Sequence, residues 1–228
     1  MCGGLTYRTS NYDFPGVLEQ APPAESVVPA ASADIRPGMS IPVISENAGN
    51  RALASYFWGY QPNPKAPLAI NAKAENLLAS SYWKNAYKTR RCVIPCDGWY
   101  EWVSVPRAPR SPEDRLKAGL TRGGKQRYFL EFEGGAVMYL AGLYGEGARK
   151  EPGKAGQWRR SSSAVVITTA ACSKIEKIGH HRQPVVMSAE MIDVWLDSST
   201  ANPSSQLASR SYTKLIASSV AGPVNIAV

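Results

Sequence analysis

Between Arg91 and Val103 the chain reads RCVIPCDGWYEWV, two apolar runs broken by one Asp97-Gly98 pair. That pattern predicts strand, tight turn, strand, and it recurs. QRYFLEF (126–132) and AVMYLAGLY (136–144) make a second strand pair around Glu133-Gly134-Gly135. MSIPVI (39–44) predicts a short strand at a sheet edge, because Pro42 has no N–H to give a neighbour. ALASYFWGY (52–60) and SSAVVITTAA (162–171) add two more strands. Helical periodicity is confined to three places. Over 72–87, Ala74, Leu77, Leu78 and Tyr82 share one stripe, with Asn71 at or just before the N-cap. CSKIEKIG (172–179) is a short helix stopped by Gly179, and SAEMIDVWLD (188–197) is a helix capped by Ser188. Strands joined by short turns, rather than alternating with helices, predict an α+β fold. The expected build is a single domain with a largely antiparallel, curled or barrel-like β-sheet and flanking helices.

Two polar stretches interrupt this pattern. Residues 104–127 and 145–160 are rich in Pro, Gly, Lys and Arg and show no apolar period, so both are predicted to be basic surface loops. They contribute to a formal net charge of +8, from 26 Lys and Arg against 18 Asp and Glu. Such a charge favours a polyanionic partner, nucleic acid first and a membrane surface second; solubility alone is the bland alternative. The first twenty residues lack the apolar core of a signal peptide, and no stretch approaches a transmembrane length. A cytoplasmic protein with reduced thiols is expected. Three residues separate Cys92 from Cys96, no second cysteine pair exists, and the only histidines are His180 and His181. That is a poor zinc site. Both cysteines read as small buried strand residues, and no metal or cofactor is expected.

Four pieces carry possible chemistry. Cys2 comes first. If Met1 is removed, Cys2 presents an amine and a thiol on adjacent carbons, with ordinary pKa values of about 8 and about 8.5. An aldehyde meeting that amine gives an imine, and the thiolate can close a five-membered thiazolidine; an internal cysteine cannot do this. Glu101 lies among Trp99, Tyr100 and Trp102, where desolvation raises a carboxyl pKa toward general acid–base use. The alternative is a plain surface Glu on a strand. His180-His181-Arg182 offers a proton shuttle beside an anion holder, or merely a polar turn. Asn71-Ala72-Lys73-Ala74-Glu75, read at a helix start, is either a cap or an anion-binding point.

In chain order these pieces resemble the SRAP family, the SOS response-associated peptidases. The shared stretches are MCG at the start, DIRPGMSIPVI (34–44), WG (58–59), INAKAE (70–75), CVIPCDGWYEW (92–102), YLAGLY (139–144), VITTAA (166–171) and GHHRQPVV (179–186). They span nearly the whole chain, as one domain over 2–228. The resemblance implies self-removal of Met1 and covalent capture, by Cys2, of the aldehyde of an abasic site in single-stranded DNA. It implies that Asn71 positions the Cys2 amine and that Glu101 assists ring opening and proton transfers. His180 acts in imine formation and in reversal. Lys73 stands where the family has a phosphate-binding Arg, Thr169 and Arg182 line the site, and Trp58 shapes the DNA groove. The implied partner is single-stranded DNA containing abasic sites, bound by a monomer, with no membrane.

The chain also departs from that pattern. Gly4 replaces a phosphate-contacting Arg, YQPNPKAP (60–67) replaces a segment ending in a second Trp, Cys172 replaces Asn, and Gln183 replaces Met or Arg. The two basic stretches, through Arg149, Lys150, Arg159 and Arg160, are candidates to supply phosphate contacts instead. Two other functions compete with covalent capture. One is a Cys-type peptidase or hydrolase using Cys2 and His180. The other is a non-covalent nucleic-acid-binding module in which Cys2 is incidental.

Overall fold

A computed structural model describes residues 2–8, 14, 16–18, 31–150 and 157–220. Its strands are β1 (Gly4–Tyr7), β2 (Ser32–Ile35), β3 (Ser40–Asn47), β4 (Asn50–Trp58), β5 (Asn71–Lys73), β6 (Arg91–Cys96) and β7 (Gly98–Ser104). They continue with β8 (Lys125–Phe132), β9 (Met138–Lys150), β10 (Trp158–Ala170), β11 (Arg182–Pro184), β12 (Val186–Met187) and β13 (Leu215–Val220). The helices are α1 (Lys84–Thr89), α2 (Pro112–Lys117), α3 (Ser173–Lys177) and α4 (Ala189–Leu196).

The pairings β10–β4, β4–β3, β3–β6, β6–β9 and β9–β10 return to their starting strand, so these five close into a barrel. Closure leaves no long free edge within the ring. A second, open sheet runs β13-β8-β7-β1-β2 and is antiparallel throughout. Only β10–β4 and β10–β5 are parallel. The α+β, largely antiparallel, barrel-like expectation therefore holds. No helix among the described residues is long and apolar enough to cross a membrane.

The local pairings differ from the sequence reading. β6 and β7 are not a hairpin: β6 belongs to the barrel and β7 to the open sheet. At the crossing the Asp97 N–H donates to the Thr6 carbonyl at 2.8 Å, and the Asp97 carboxylate accepts the Arg8 N–H. β8 and β9 divide between the two sheets in the same way, across Glu133–Gly135. Apolar runs flanking a turn look alike whether the chain folds back or moves on to another sheet. Pro42 is not on an edge strand either. β3 is bonded on both sides, but its pairs with β6 are Ile44↔Val93 and Ser45↔Cys92, so Pro42 lies beyond them and withholds no ladder bond.

The helix expected over 72–87 is also corrected. Asn71–Lys73 is a strand, followed by a single 3-10 turn at Ala74–Asn76, and helix begins only at Lys84. The cause is tertiary. Past the last β4 pair, Ala164↔Trp58, β10 still presents backbone groups at Val166–Thr168, and Asn71–Lys73 pairs with them in parallel. Asn71 is thus a strand residue and not a helix N-cap. The stretch 104–127 contains α2, whose Ser111 hydroxyl accepts the Asp114 N–H at 3.0 Å with Pro112 following. In the second basic stretch 145–150 and 158–160 are strand, β9 reaching Lys150 and β10 starting at Trp158 opposite it, and 151–156 lie outside the described residues.

One buried cation ties the barrel to its helices. Arg91, 4% exposed, donates to the carbonyls of Tyr87 at 2.9 Å and Lys88 at 3.1 Å, near the end of α1. It also donates to Trp195 at 2.6 Å, Asp197 at 2.5 Å and Thr200 at 3.2 Å, around the end of α4. Helix ends leave carbonyls unpaired and carry partial negative charge, which one guanidinium satisfies here for two helices. Arg91→Leu is therefore expected to lower the unfolding free energy by about 3 kcal/mol or more. Urea unfolding measures this, and a loss under about 1 kcal/mol would contradict the assignment.

Candidate active site

The site forms where β1 and β7 of the open sheet meet β5, β10 and the turn before β11. Alternation along β7 turns Trp99 and Glu101 inward and leaves Tyr100 and Trp102 on the other face. Trp99 and Glu101 are both fully buried. Cys2 is fully buried immediately before β1. The Asn71 side-chain amide donates to the Cys2 carbonyl at 2.9 Å, and its Oδ1 is buried without a hydrogen-bond partner. Burial pushes the Cys2 thiol well above its ordinary pKa, and the Glu101 and Cys96 charges push it the same way. The thiol also donates toward the Gly4 carbonyl, at 3.9 Å, a bond only the protonated form can make.

His180 follows Gly179, which adopts φ +89°. A Cβ there would lie 2.9 Å from Val103 Cγ1, so glycine lets this turn press against β7 two residues from Glu101. The ring is fixed at both nitrogens. Nδ1 lies 2.8 Å from the Arg182 carbonyl oxygen, which can only accept, so Nδ1 carries hydrogen. Nε2 faces Glu101 Oε2 at 3.1 Å. Burial pushes the Glu101 carboxyl up to about 7. Burial also pushes His180 below its ordinary value, helped by the positive charges of His181 and Lys125 and opposed by the Arg182 carbonyl. Both shifts favour a neutral pair with one proton between Oε2 and Nε2 near neutrality. The two groups titrate together and can donate or accept that proton.

The other expected site residues divide. Arg182 holds Glu75 through two bonds of 2.5 and 3.1 Å, and its Nη2 also donates to the Thr168 carbonyl at 2.7 Å and hydroxyl at 3.2 Å. The Arg182 bond holds Glu75 below its ordinary pKa. Lys73 is exposed on β5, in register with Thr168. Thr169 lies on the opposite face of β10, lining a groove with Ala74, Leu77 and Leu207. Trp58 is fully buried and presents no face to a ligand; its indole donates to the Ile70 carbonyl at 3.0 Å, fixing the residue before Asn71. Thr168 was missed by sequence reasoning, and Glu75 was read only as part of a helix start. The single available signal was Arg182, a cation in need of a carboxylate. Among the described residues no cluster of His, Cys, Asp and Glu could hold a metal ion. All four cysteines are free and buried.

The family model of the SOS response associated peptidases, SRAP, matches residues 1–227. The chain belongs to the SRAP family. Abasic site processing protein YoqW of Bacillus subtilis is 25% identical over 213 residues, covering 89% of this chain and 83% of YoqW. Abasic site processing protein HMCES of Gallus gallus is 26% identical over 163 residues, 63% of this chain and 42% of HMCES. The crystal structure of a phage-related protein from Bordetella bronchiseptica shares the fold, with a TM-score of 0.66 at 24% identity over 96% of this chain and 94% of that one.

The residues expected above to depart from the resemblance have local settings. A Cβ on Gly4 would lie 2.9 Å from the Trp102 ring and 3.1 Å from that of Tyr100, so these aromatics occupy the space a side chain would need. Arg36 lies over the Trp102 ring at 4.9 Å and pairs with Asp34. Gln183 is fully buried; its Oε1 accepts the Cys172 N–H at 2.8 Å and its Nε2 donates to the Arg210 carbonyl at 3.0 Å. The replacements at 172 and 183 therefore touch each other.

The raised Glu101 value has a stability consequence. The folded state holds this proton more tightly than the unfolded chain, whose carboxyl titrates near 4.5. The stabilisation is complete below about 4.5 and lost as pH rises through about 7. Relative to Glu101→Gln, wild type should lose about 3 kcal/mol between pH 4.5 and 8. Paired unfolding curves across that range test this, and a constant difference would refute it.

Proposed function

We propose that this SRAP protein captures abasic sites in single-stranded DNA by covalent bond formation at Cys2, after removing its own Met1. The observation that carries the reading is the Asn71 amide on the Cys2 carbonyl beside the Glu101–His180 proton pair. The names of YoqW and HMCES, abasic site processing proteins, supply the substrate class. Met1 lies outside the described residues, so its removal rests on chemistry: only a free Cys2 amine can enter the ring.

An abasic sugar opens to an aldehyde, the electrophile such an amine needs. The Cys2 nitrogen adds to the aldehyde carbon, and the resulting carbinolamine loses water to give an imine. The sulfur then adds to the imine carbon while the nitrogen regains a proton. Aldehyde, amine and thiol thus become thiazolidine and one water. Asn71 holds the Cys2 backbone, and its unpartnered Oδ1 is an acceptor for the amine. The Glu101–His180 pair supplies the proton that lets water leave and takes up the thiol proton. Lys73 is the nearby exposed cation for a phosphate, with Arg182 and Thr169 on the adjoining strands. The reading puts the protein on DNA, in the cytoplasm or nucleoid.

Incubating the protein with single-stranded DNA carrying one abasic site should give a band that survives denaturing electrophoresis. It should vanish in Cys2→Ala and form about 100-fold more slowly in His180→Ala. Persistence of the band in Cys2→Ala would sink the proposal.

A further inference from the structure

A second cavity, separate from Cys2, lies where β4, β9 and β10 meet the segment leading into α1. It has a volume of about 400 Å³, within the usual range for small-ligand sites. One wall is a cluster of three rings. Tyr60 meets Tyr82 at 5.5 Å and Trp83 at 5.6 Å, and Tyr82 meets Trp83 at 4.8 Å. Another wall is the Tyr56–Tyr144 pair, 5.7 Å apart. Two cations stand at the cavity. Arg90 is anchored by Nε on the Tyr144 carbonyl at 3.2 Å, leaving its two Nη groups for a ligand. Arg160 is well exposed; it donates through Nη1 to the Pro62 carbonyl at 3.4 Å and pairs loosely, at 4.0 Å, with Glu146. The Tyr82 hydroxyl is buried with no hydrogen-bond partner, an unfilled valence within the cage.

Aromatic walls alone would suit many apolar or cationic guests. Two guanidiniums at the same opening disfavour a cation and select a flat group carrying negative charge. A nucleobase with its phosphate has that chemistry: a π-face for the rings, an anion for Arg90 and Arg160, and exocyclic amines for Glu146. The cavity is also tied to the candidate active site. Tyr60 and Ala69 exchange both backbone hydrogen bonds, at 2.8 and 2.9 Å, two residues before Asn71. Along β10, Ser162 lines the cavity and Val166 pairs with Asn71. Four residues of strand span about 13 Å, within reach of a continuous single strand.

We infer that the Tyr60–Tyr82–Trp83 cage binds a nucleotide of single-stranded DNA outside the reacting position, stacking its base and pairing its phosphate with Arg90 and Arg160. This rests on the DNA reading above, but its test does not need the covalent step. The probe is an undamaged fluorescein-labelled dA 12-mer, followed by anisotropy, with free dAMP as a second arm. Wild type should bind the 12-mer, and Tyr60→Ala with Tyr82→Ala should weaken it about tenfold or more. Arg160→Gln, at an exposed position with little bearing on folding, should lower the slope of log affinity against log salt by about 1. An unchanged slope in Arg160→Gln together with unchanged affinity in the folded tyrosine variant would overturn the inference. Free dAMP binding as tightly as the 12-mer would also overturn it, assigning the cage to a free nucleotide. Wild-type binding of the 12-mer without capture of an abasic strand would leave the cage standing and remove the Cys2 reading.

Discussion

The site depends on a carboxylic acid kept out of water. Glu101 sits on a strand of the open sheet with its side chain turned fully inward, where an ionised carboxylate is poorly solvated. Burial makes the group a proton holder near neutrality, and the His180 ring gives that proton a second place to reside. The rest of the arrangement fixes this contact. The Asp97 corner moves the chain from barrel to sheet. Gly179 brings the histidine turn against Val103, and the Arg182 carbonyl sets the tautomer. The Arg182 guanidinium is meanwhile committed to Glu75 and Thr168, so one residue orients the ring with its backbone and ties the turn after β5 to β10 with its side chain.

Much of this was legible in the sequence, and the failures share a cause. Apolar runs at 91–103, 126–132 and 162–171 did mark strands, and alternation along β7 groups Trp99 with Glu101, but nothing in the pattern says which face is the buried one. Partners were not legible. RCVIPC and GWYEWV flank a turn, yet they enter different sheets, because turn chemistry does not record which edge is vacant. The helical stripe over 72–87 lost to the unpaired backbone of β10, a demand that local propensity cannot register. Trp58 looked like a surface for DNA and is a buried donor that holds Ile70. Glu75 and Thr168 entered the site through long-range contact with Arg182, for which a single chain offers little signal.

The departures from the family pattern are absorbed in place. The region of Gly4 is filled by Trp102 and Tyr100, with Arg36 laid over the outer ring. Cys172 caps α3 without a side-chain bond, while the Gln183 amide takes up its backbone N–H, so the two changes form one local solution. The segment after Trp58-Gly59 contributes Tyr60 to an aromatic cage, and Phe57, before it, lies under Arg149 at 4.4 Å.

The complete burial of Cys2 also governs how its sulfur meets small reagents. A thiol that is inaccessible and held in its neutral form is a poor target for peroxide and for small alkylating agents, which attack exposed thiolate. The same packing that disfavours its ionisation therefore also shields it from such reagents.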